Sequence, residues 1–242
     1  MDFFKDLEDI RHSFKRFARL LPEDGCLIIN RQIDHLEELT EGLSCRVITF
    51  GASADADYSF ADASYDALGR ASYTLIKKGK NCGTVHLGVV GEHNILNSLS
   101  VIALMELLGI DFHTVCDALS TFSGTDRRFE LKGEMCGIKI LDDYAHHPTE
   151  ITATLKAAAN YPHKNLWCVF QPHTYTRTKA FLNDFAKALS LADKIVLTDI
   201  YAAREKNTIG ISSKDLLYEL EKLGKECYYF PSFDEIENFL LK

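Results

Sequence analysis

Short apolar runs alternate with helical patterns along this 242-residue chain, and the alternation predicts an α/β fold. Apolar runs at residues 25–30 and 45–50 flank a helical stretch at about 33–39, the β-α-β rhythm of a parallel sheet. From Tyr58 to Val90 the pattern changes. Ser72-Tyr73-Thr74-Leu75-Ile76 and Thr84-Val85-His86-Leu87-Gly88-Val89 alternate in polarity around Lys78-Gly79-Lys80-Asn81, as an antiparallel hairpin does. Later, strands near 138–142, 167–170, 195–198 and 227–230 alternate with helices near 148–160, 177–189, 213–223 and 233–240. The expectation is a partial central sheet, parallel plus an antiparallel hairpin, followed by a Rossmann-like doubly wound C-terminal domain.

In chain order, Phe3, Phe4, Leu7, Ile10, Phe14, Phe17 and Leu21 recur at helical spacing, with Asp2 as N-cap. Arg11, Lys15 and Arg19 mark the opposite face, read as solvated rather than phosphate-binding. A long helix is expected over 93–108, stopped by Gly109, and another over 112–119. The polar run Phe122-Ser123-Gly124-Thr125-Asp126-Arg127-Arg128-Phe129 is hinge-like, which places a domain boundary between 1–126 and 127–242.

The net charge of −8 argues against bulk nucleic-acid binding. No apolar run approaches the ~20 residues that span a bilayer, and the N-terminus lacks an apolar signal core, so neither membrane insertion nor secretion is expected. Seven cysteines stand singly, without a CxxC pair, and read as reduced thiols of a cytoplasmic chain.

The densest chemistry is Asp142-Asp143-Tyr144-Ala145-His146-His147-Pro148-Thr149-Glu150. It follows Ile138-Lys139-Ile140-Leu141, read as a buried strand, and Pro148 suits the first turn of the next helix. Two more polar runs follow apolar ones: Gln171-Pro172-His173-Thr174-Tyr175-Thr176-Arg177 and Thr198-Asp199-Ile200-Tyr201-Ala202-Ala203-Arg204-Glu205. Each alone reads as capping or loop solvation. Three strand ends of one parallel sheet carrying His, Arg, Asp and Tyr read as a ligand rim. Adjacent His146 and His147 point apart in extended backbone, so they do not share a metal, and no metal site is assigned. No serine or cysteine sits in a G-x-S-x-G setting, which disfavours a covalent hydrolase.

Gly91-Glu92-His93-Asn94-Ile95-Leu96-Asn97 opens a helix after a strand. Asn94 and Asn97 share a face, and their amides suit a purine edge with His93 stacked beside it; helix capping by Asn94 is an equal reading. Arg127-Arg128 can grip a phosphate or carboxylate on domain closure, or form a surface pair.

Four of these segments, residues 91–97, 122–129, 142–150 and 170–177 in chain order, resemble the Mur ligases of peptidoglycan synthesis, and within them the branch that joins L-alanine to UDP-N-acetylmuramate. The ligase that recycles murein tripeptide is the nearest confusable relative. The resemblance implies ATP-dependent amide ligation through an acyl phosphate, with ATP and Mg2+ as cofactors and UDP-N-acetylmuramate and L-alanine as substrates. It implies that residues 1–126 are the latter half of the central ATP-binding domain and 127–242 the C-terminal ligase domain. It assigns His93, Asn94, Asn97, Arg127, Arg128 and Asp143 to ATP. It assigns Tyr144, His146, His173 and Arg177 to the alanine and muramate side, with Arg128, His146 and His173 as the catalytic groups. The family's phosphate loop, G-x-x-x-x-G-K-[ST], is not found in the sequence, and the magnesium ligands are expected N-terminal to it. Thr174 stands where some members carry arginine. The isolated chain is therefore expected to be inactive, as part of a longer ligase, with homo-oligomerisation left open. The rival reading is a non-catalytic nucleotide-binding or interaction module.

Overall fold

The computed structural model describes residues 4–242, so the expected N-cap Asp2 and Phe3 lie outside the described residues. The chain divides into two compact units, Met1–Gly124 and Thr125–Lys242.

The first unit opens with α1 (Leu7–Ala18), capped by Asp6, whose carboxylate accepts the Asp9 amide at 2.8 Å. Its apolar stripe is not a core face: Phe14 and Phe17 are 58% and 71% exposed, and only Ala18 is buried. On the basic face Arg11 and Lys15 pair with Glu8 and Glu41. Strand β1 (Cys26–Asn30), the short helix α2 (Leu36–Thr40) and β2 (Arg46–Phe50) form the expected β-α-β unit, with β1 and β2 parallel. The antiparallel part exceeds a hairpin. β3 (Tyr58–Tyr65), β4 (Arg70–Lys77) and β5 (Lys80–Val90) form a three-strand meander, completing a sheet of order β1-β2-β3-β4-β5. β3 escaped notice because its second half, Ala61–Tyr65, bulges and is largely exposed.

Ala71, Tyr73 and Leu75 of β4 and Val85 and Leu87 of β5 point to one face at period two. Helix α3 (Glu92–Leu107) covers that face with Ile95, Leu99, Ile102 and Ala103, spaced as a helix stripe. The Tyr73 hydroxyl meets Ser98 Oγ at 2.6 Å, a buried polar pair that fixes the rotation of α3 on the sheet. Helix α4 (Phe112–Thr121) starts at the N-cap Asp111. Its end lies directly on β5: a Cβ at Gly88 would stand 2.4 Å from the Phe122 carbonyl oxygen and 2.7 Å from that of Ser120.

In the second unit, β6 (Glu130–Met135) and β7 (Ile138–Asp142) pair antiparallel. Here the structure corrects the sequence reading. β7 belongs to its own two-stranded hairpin rather than to the parallel sheet, and Ile138 and Ile140 are exposed rather than buried. The cause is Cys136-Gly137, with φ of 52° and 80°, a two-residue left-handed turn that folds β7 back on β6. Helix α5 (Pro148–Ala159) leads to β8 (Trp167–Phe170). The predicted helix at 177–189 is two, α6 (Tyr175–Ala180) and α7 (Leu182–Leu189), broken at Phe181 with φ −113° and ψ 22°. Strand β9 (Lys194–Leu197), helix α8 (Ser213–Lys222), strand β10 (Glu226–Tyr229) and helix α9 (Phe233–Leu240) finish the chain. The sheet is parallel, of order β10-β9-β8, and the core is built from Ile151, Leu155, Phe185, Leu189, Ile195, Leu197, Leu216 and Leu220. This is the Rossmann-like α/β arrangement, and it brings the C-terminal ends of β8 and β9 together.

Candidate functional site

Past Phe170 and Leu197 strands β8 and β9 keep running side by side. His173 bridges Tyr201, the Tyr201 amide donates to the Pro172 carbonyl at 2.8 Å, and the Thr174 amide donates to the Tyr201 carbonyl at 2.9 Å. Thr174 sits at φ 64°, ψ 145°, a region hostile to a β-branched residue. It is held there from several sides: its carbonyl also receives the amide and the hydroxyl of Thr178. Glu205 closes the loop. Its carboxylate accepts the Thr176 amide at 2.9 Å and the Thr176 hydroxyl. Partial burial pushes the Glu205 pKa up, but hydrogen bonds from Thr176, Tyr175 and Thr174 hold it below its ordinary value.

The third segment arrives from the hairpin. His147 is the N-cap of α5 and forms a capping box with Glu150, whose carboxylate accepts the amides of His146 and His147 at 3.0 and 3.2 Å. Burial raises the Glu150 pKa, yet those amides and the charges of His146 and Arg128 bring it below its ordinary value. The adjacent histidines point apart. The His147 ring lies 4.9 Å from Phe181, whereas the His146 ring lies 5.9 Å from His173. A row of rings results, with Tyr144 5.2 Å from His146 and Tyr201 5.6 Å from His173. The Arg127 guanidinium stacks over Tyr144 at 4.7 Å, and Arg128 lies 3.8 Å from Glu150.

Tyr144, His146, His173, Arg127 and Arg128 are thus gathered by contacts within one unit. Two atoms here are buried without a hydrogen-bond partner, His173 Nδ1 and the Nη1 of Arg177, whose charge acts on His173. Buried polar groups are ordinarily satisfied, and an open guanidinium nitrogen in the first turn of α6 can donate to an oxyanion. Burial, the Arg177 charge and His146 push the His173 pKa down, so its ring is neutral at pH 7.

Asp143 is placed differently. Its two oxygens accept the amides of Phe129 at 2.9 Å and Ala145 at 2.8 Å, which latches the hinge to the loop. It lines a cleft of about 580 Å³ with Leu141, Ala145 and Phe170, a cleft that holds none of Tyr144, His146, His173 or Arg177. Each carboxylate oxygen retains a second lone pair for a ligand.

In the first unit the N-cap of α3 is Gly91, not Asn94. The Asn94 amide donates to the Val90 carbonyl at 2.8 Å, and Asn97 donates to Asn94 Oδ1 at 3.0 Å. That leaves the Asn97 side-chain oxygen Oδ1 open to a donor such as an adenine amino group. The His93 ring lies over Gly91, where a Cβ would come within 2.7 Å of its Cε1. Gly91 also sits at φ 95°, so both contact and backbone require glycine.

Sequence reasoning put the run 198–205 on the rim but gave Glu205 and Tyr201 no role of their own. The signal was the third polar run itself, whose carboxylate and ring sit where β9 runs past β8.

The fold and this rim define a class. The Mur ligase middle domain matches residues 1–105, and the Mur ligase glutamate ligase domain matches residues 127–242. The chain belongs to the Mur ligase family. It is 54% identical over 243 residues to the UDP-N-acetylmuramate–L-alanine ligase of Lachnospira eligens, covering 100% of this chain and 53% of that protein. The solved UDP-N-acetylmuramate-alanine ligase of Thermotoga maritima superposes with a TM-score of 0.75 at 30% identity, over 97% of this chain and 49% of that one. The MurF ligase of Thermotoga maritima in complex with ADP shares the fold, with a TM-score of 0.65 at 18% identity over 95% of this chain and 55% of that one. The chain spans about half the length of the curated relatives it matches. Among the described residues no helix is long and apolar enough to cross a membrane.

Proposed function

We propose that this chain supplies the nucleotide and amino-acid side of an ATP-dependent ligase that joins L-alanine to UDP-N-acetylmuramate. Two buried atoms without partners, His173 Nδ1 and Arg177 Nη1, carry the reading, because an open buried guanidinium nitrogen favours an anionic substrate group beside it. ATP supplies the phosphoryl group that turns the muramate carboxylate into an acyl phosphate, which the alanine amine attacks. Arg177 pairs with a carboxylate or phosphoryl oxygen. Neutral His173 and its neighbour His146 orient the amine and take its proton, and Tyr144 walls the row. Arg128, and Arg127 stacked on Tyr144, offer guanidinium charge to the phosphates. Asn97 and His93 read adenine with Asn94 as their support, and Asp143 meets the ribose. Among the described residues no three His, Cys, Asp or Glu side chains converge on a metal-sized site. The phosphate loop and the UDP-sugar domain have no counterpart in its 242 residues, so the activity proposed is that of a longer ligase to which this half contributes.

The test is a chimaera in which the preceding half of the Lachnospira eligens relative is fused to this chain. Phosphate release that depends on L-alanine and UDP-N-acetylmuramate, and is lost in Arg177→Ala, is the expected result. A folded chimaera that released phosphate only with murein tripeptide as the amine donor's source, or not at all, would refute it.

A further inference from the structure

Four rings stand in a row at the rim, Tyr144, His146, His173 and Tyr201, and only Tyr201 has no part in the reading above. Its place is set by the backbone. The Tyr201 amide donates to the Pro172 carbonyl at 2.8 Å, and the Tyr201 carbonyl accepts the Thr174 amide at 2.9 Å, which puts Tyr201 directly beside His173. Their ring centroids are 5.6 Å apart, at 38° to one another. His146 faces the same imidazole from the loop before α5, at 5.9 Å. His173 is thus held between two rings, each at ordinary aromatic contact distance. Its Nδ1 is buried, although Tyr201 itself is 55% exposed. Among the described residues the Tyr201 hydroxyl has no hydrogen-bond partner, so the contact belongs to the ring.

We propose that Tyr201 is a positioning residue, whose ring covers the His173 imidazole and keeps it dry and in place. The inference deepens the functional reading above, in which His173 helps to orient the amine and take its proton. The backbone bonds at position 201 need no particular side chain, so the ring is free to serve this second purpose. Burial is the largest influence on His173, and it opposes protonation. Arg177 from α6 and His146 oppose it as well, and Glu205, from the turn that follows Tyr201, favours it. Removing the Tyr201 ring uncovers His173 and leaves those three groups where they are. A better solvated imidazole takes a proton more readily, and a protonated one cannot accept the proton of an amine.

The experiment follows the His173 Cε1–H signal against pH in the 242-residue chain, assigned by its absence in His173→Gln. Tyr201→Val removes the ring and keeps a residue suited to extended backbone. Tyr201→Phe removes the hydroxyl alone. In Tyr201→Val the His173 pKa should rise towards 6.5, and in Tyr201→Phe it should match that of the parent chain. The Thr174 amide signal, which reports the bond to the Tyr201 carbonyl, should stay in place in both; Tyr201→Leu replaces valine if valine disturbs it. In the chimaeric ligase the acid limb of kcat/KM for alanine should move to higher pH in Tyr201→Val and not in Tyr201→Phe. An unmoved His173 titration in Tyr201→Val, or an equal shift in Tyr201→Phe, overturns the role of the ring. A shifted titration that the acid limb does not follow upholds the cover over His173 and refutes His173 as the group that takes the proton.

Discussion

The carboxylate of Glu205 receives the backbone N–H of Thr176 at 2.9 Å, across 29 positions of sequence. It receives the Thr176 hydroxyl as well, so one acid on the β9 side sets the shape of the loop that carries His173 and Arg177. Glu205→Ala should therefore lower stability by ~1–2 kcal/mol, less than a shielded charge-assisted bond because the carboxylate is partly exposed. Ligand binding at His173 should fall further than stability does. Chemical denaturation and substrate titration of the same variant separate the two effects; equal losses would make Glu205 a structural latch alone.

Acid should destabilise the second unit in two stages. The native pKa of His173 lies below its ordinary 6.5, so the unfolded chain binds a proton that the folded chain resists. Its contribution is complete above pH 6.5 and is lost as the pH falls from there towards the native pKa. Glu150 and Glu205 are held below their ordinary 4.5, so their contribution is present above that value and disappears as the pH falls through their native pKa values. Melting temperature measured against pH should show both stages, and His173→Gln should remove the upper one only.

Asp143 has two duties that substitution can separate. Asp143→Ala leaves the Phe129 and Ala145 amides without acceptors, so thermal stability should drop in the isolated chain. In the chimaeric ligase the same change should raise KM for ATP more than KM for alanine. Asp143→Asn keeps one acceptor oxygen and should lie between. An unmoved KM for ATP would leave Asp143 as the hinge latch only.

The 242-residue chain by itself should show no alanine ligase activity, because it has no phosphate loop to hold the transferring phosphoryl group. Phosphate release with ATP, UDP-N-acetylmuramate and L-alanine is the assay. Turnover of ~1 s⁻¹ or more would contradict the prediction.

Expressed separately, residues 127–242 should unfold cooperatively, since their core of Leu189, Ile195, Leu197 and Leu216 is fully buried. Residues 1–124 should associate with themselves. Strand β1 is a sheet edge, and α1 exposes Phe14, Phe17 and nearby Leu20. Sedimentation of the two halves distinguishes these outcomes.

Much of this was legible from residue patterns. Period-two runs such as Ala71, Tyr73 and Leu75 and the helix stripe of Ile95, Leu99 and Ile102 point to strand and helix without ambiguity. Pro148 marks the start of α5. The pairing of β7 was not legible, because an apolar run states that a strand exists and not which edge it joins. Two left-handed residues, Cys136 and Gly137, decided that, and a cysteine gives little warning of such a turn. The break at Phe181 was likewise hidden inside a continuous helical pattern. In the site, residue types announced a polar rim, but the inward turn of Asp143 to two amides depends on backbone geometry that no spacing encodes.

Gly88 takes no part in any reaction, yet it fixes where the chain leaves the first unit, with the Phe122 and Ser120 carbonyl oxygens resting where a Cβ would stand. In genetic terms, every missense change in its codon adds at least that carbon. A saturation library read out by growth should therefore show position 88 as a silent residue that tolerates no drift, with the selection acting through the path of the backbone and not through chemistry.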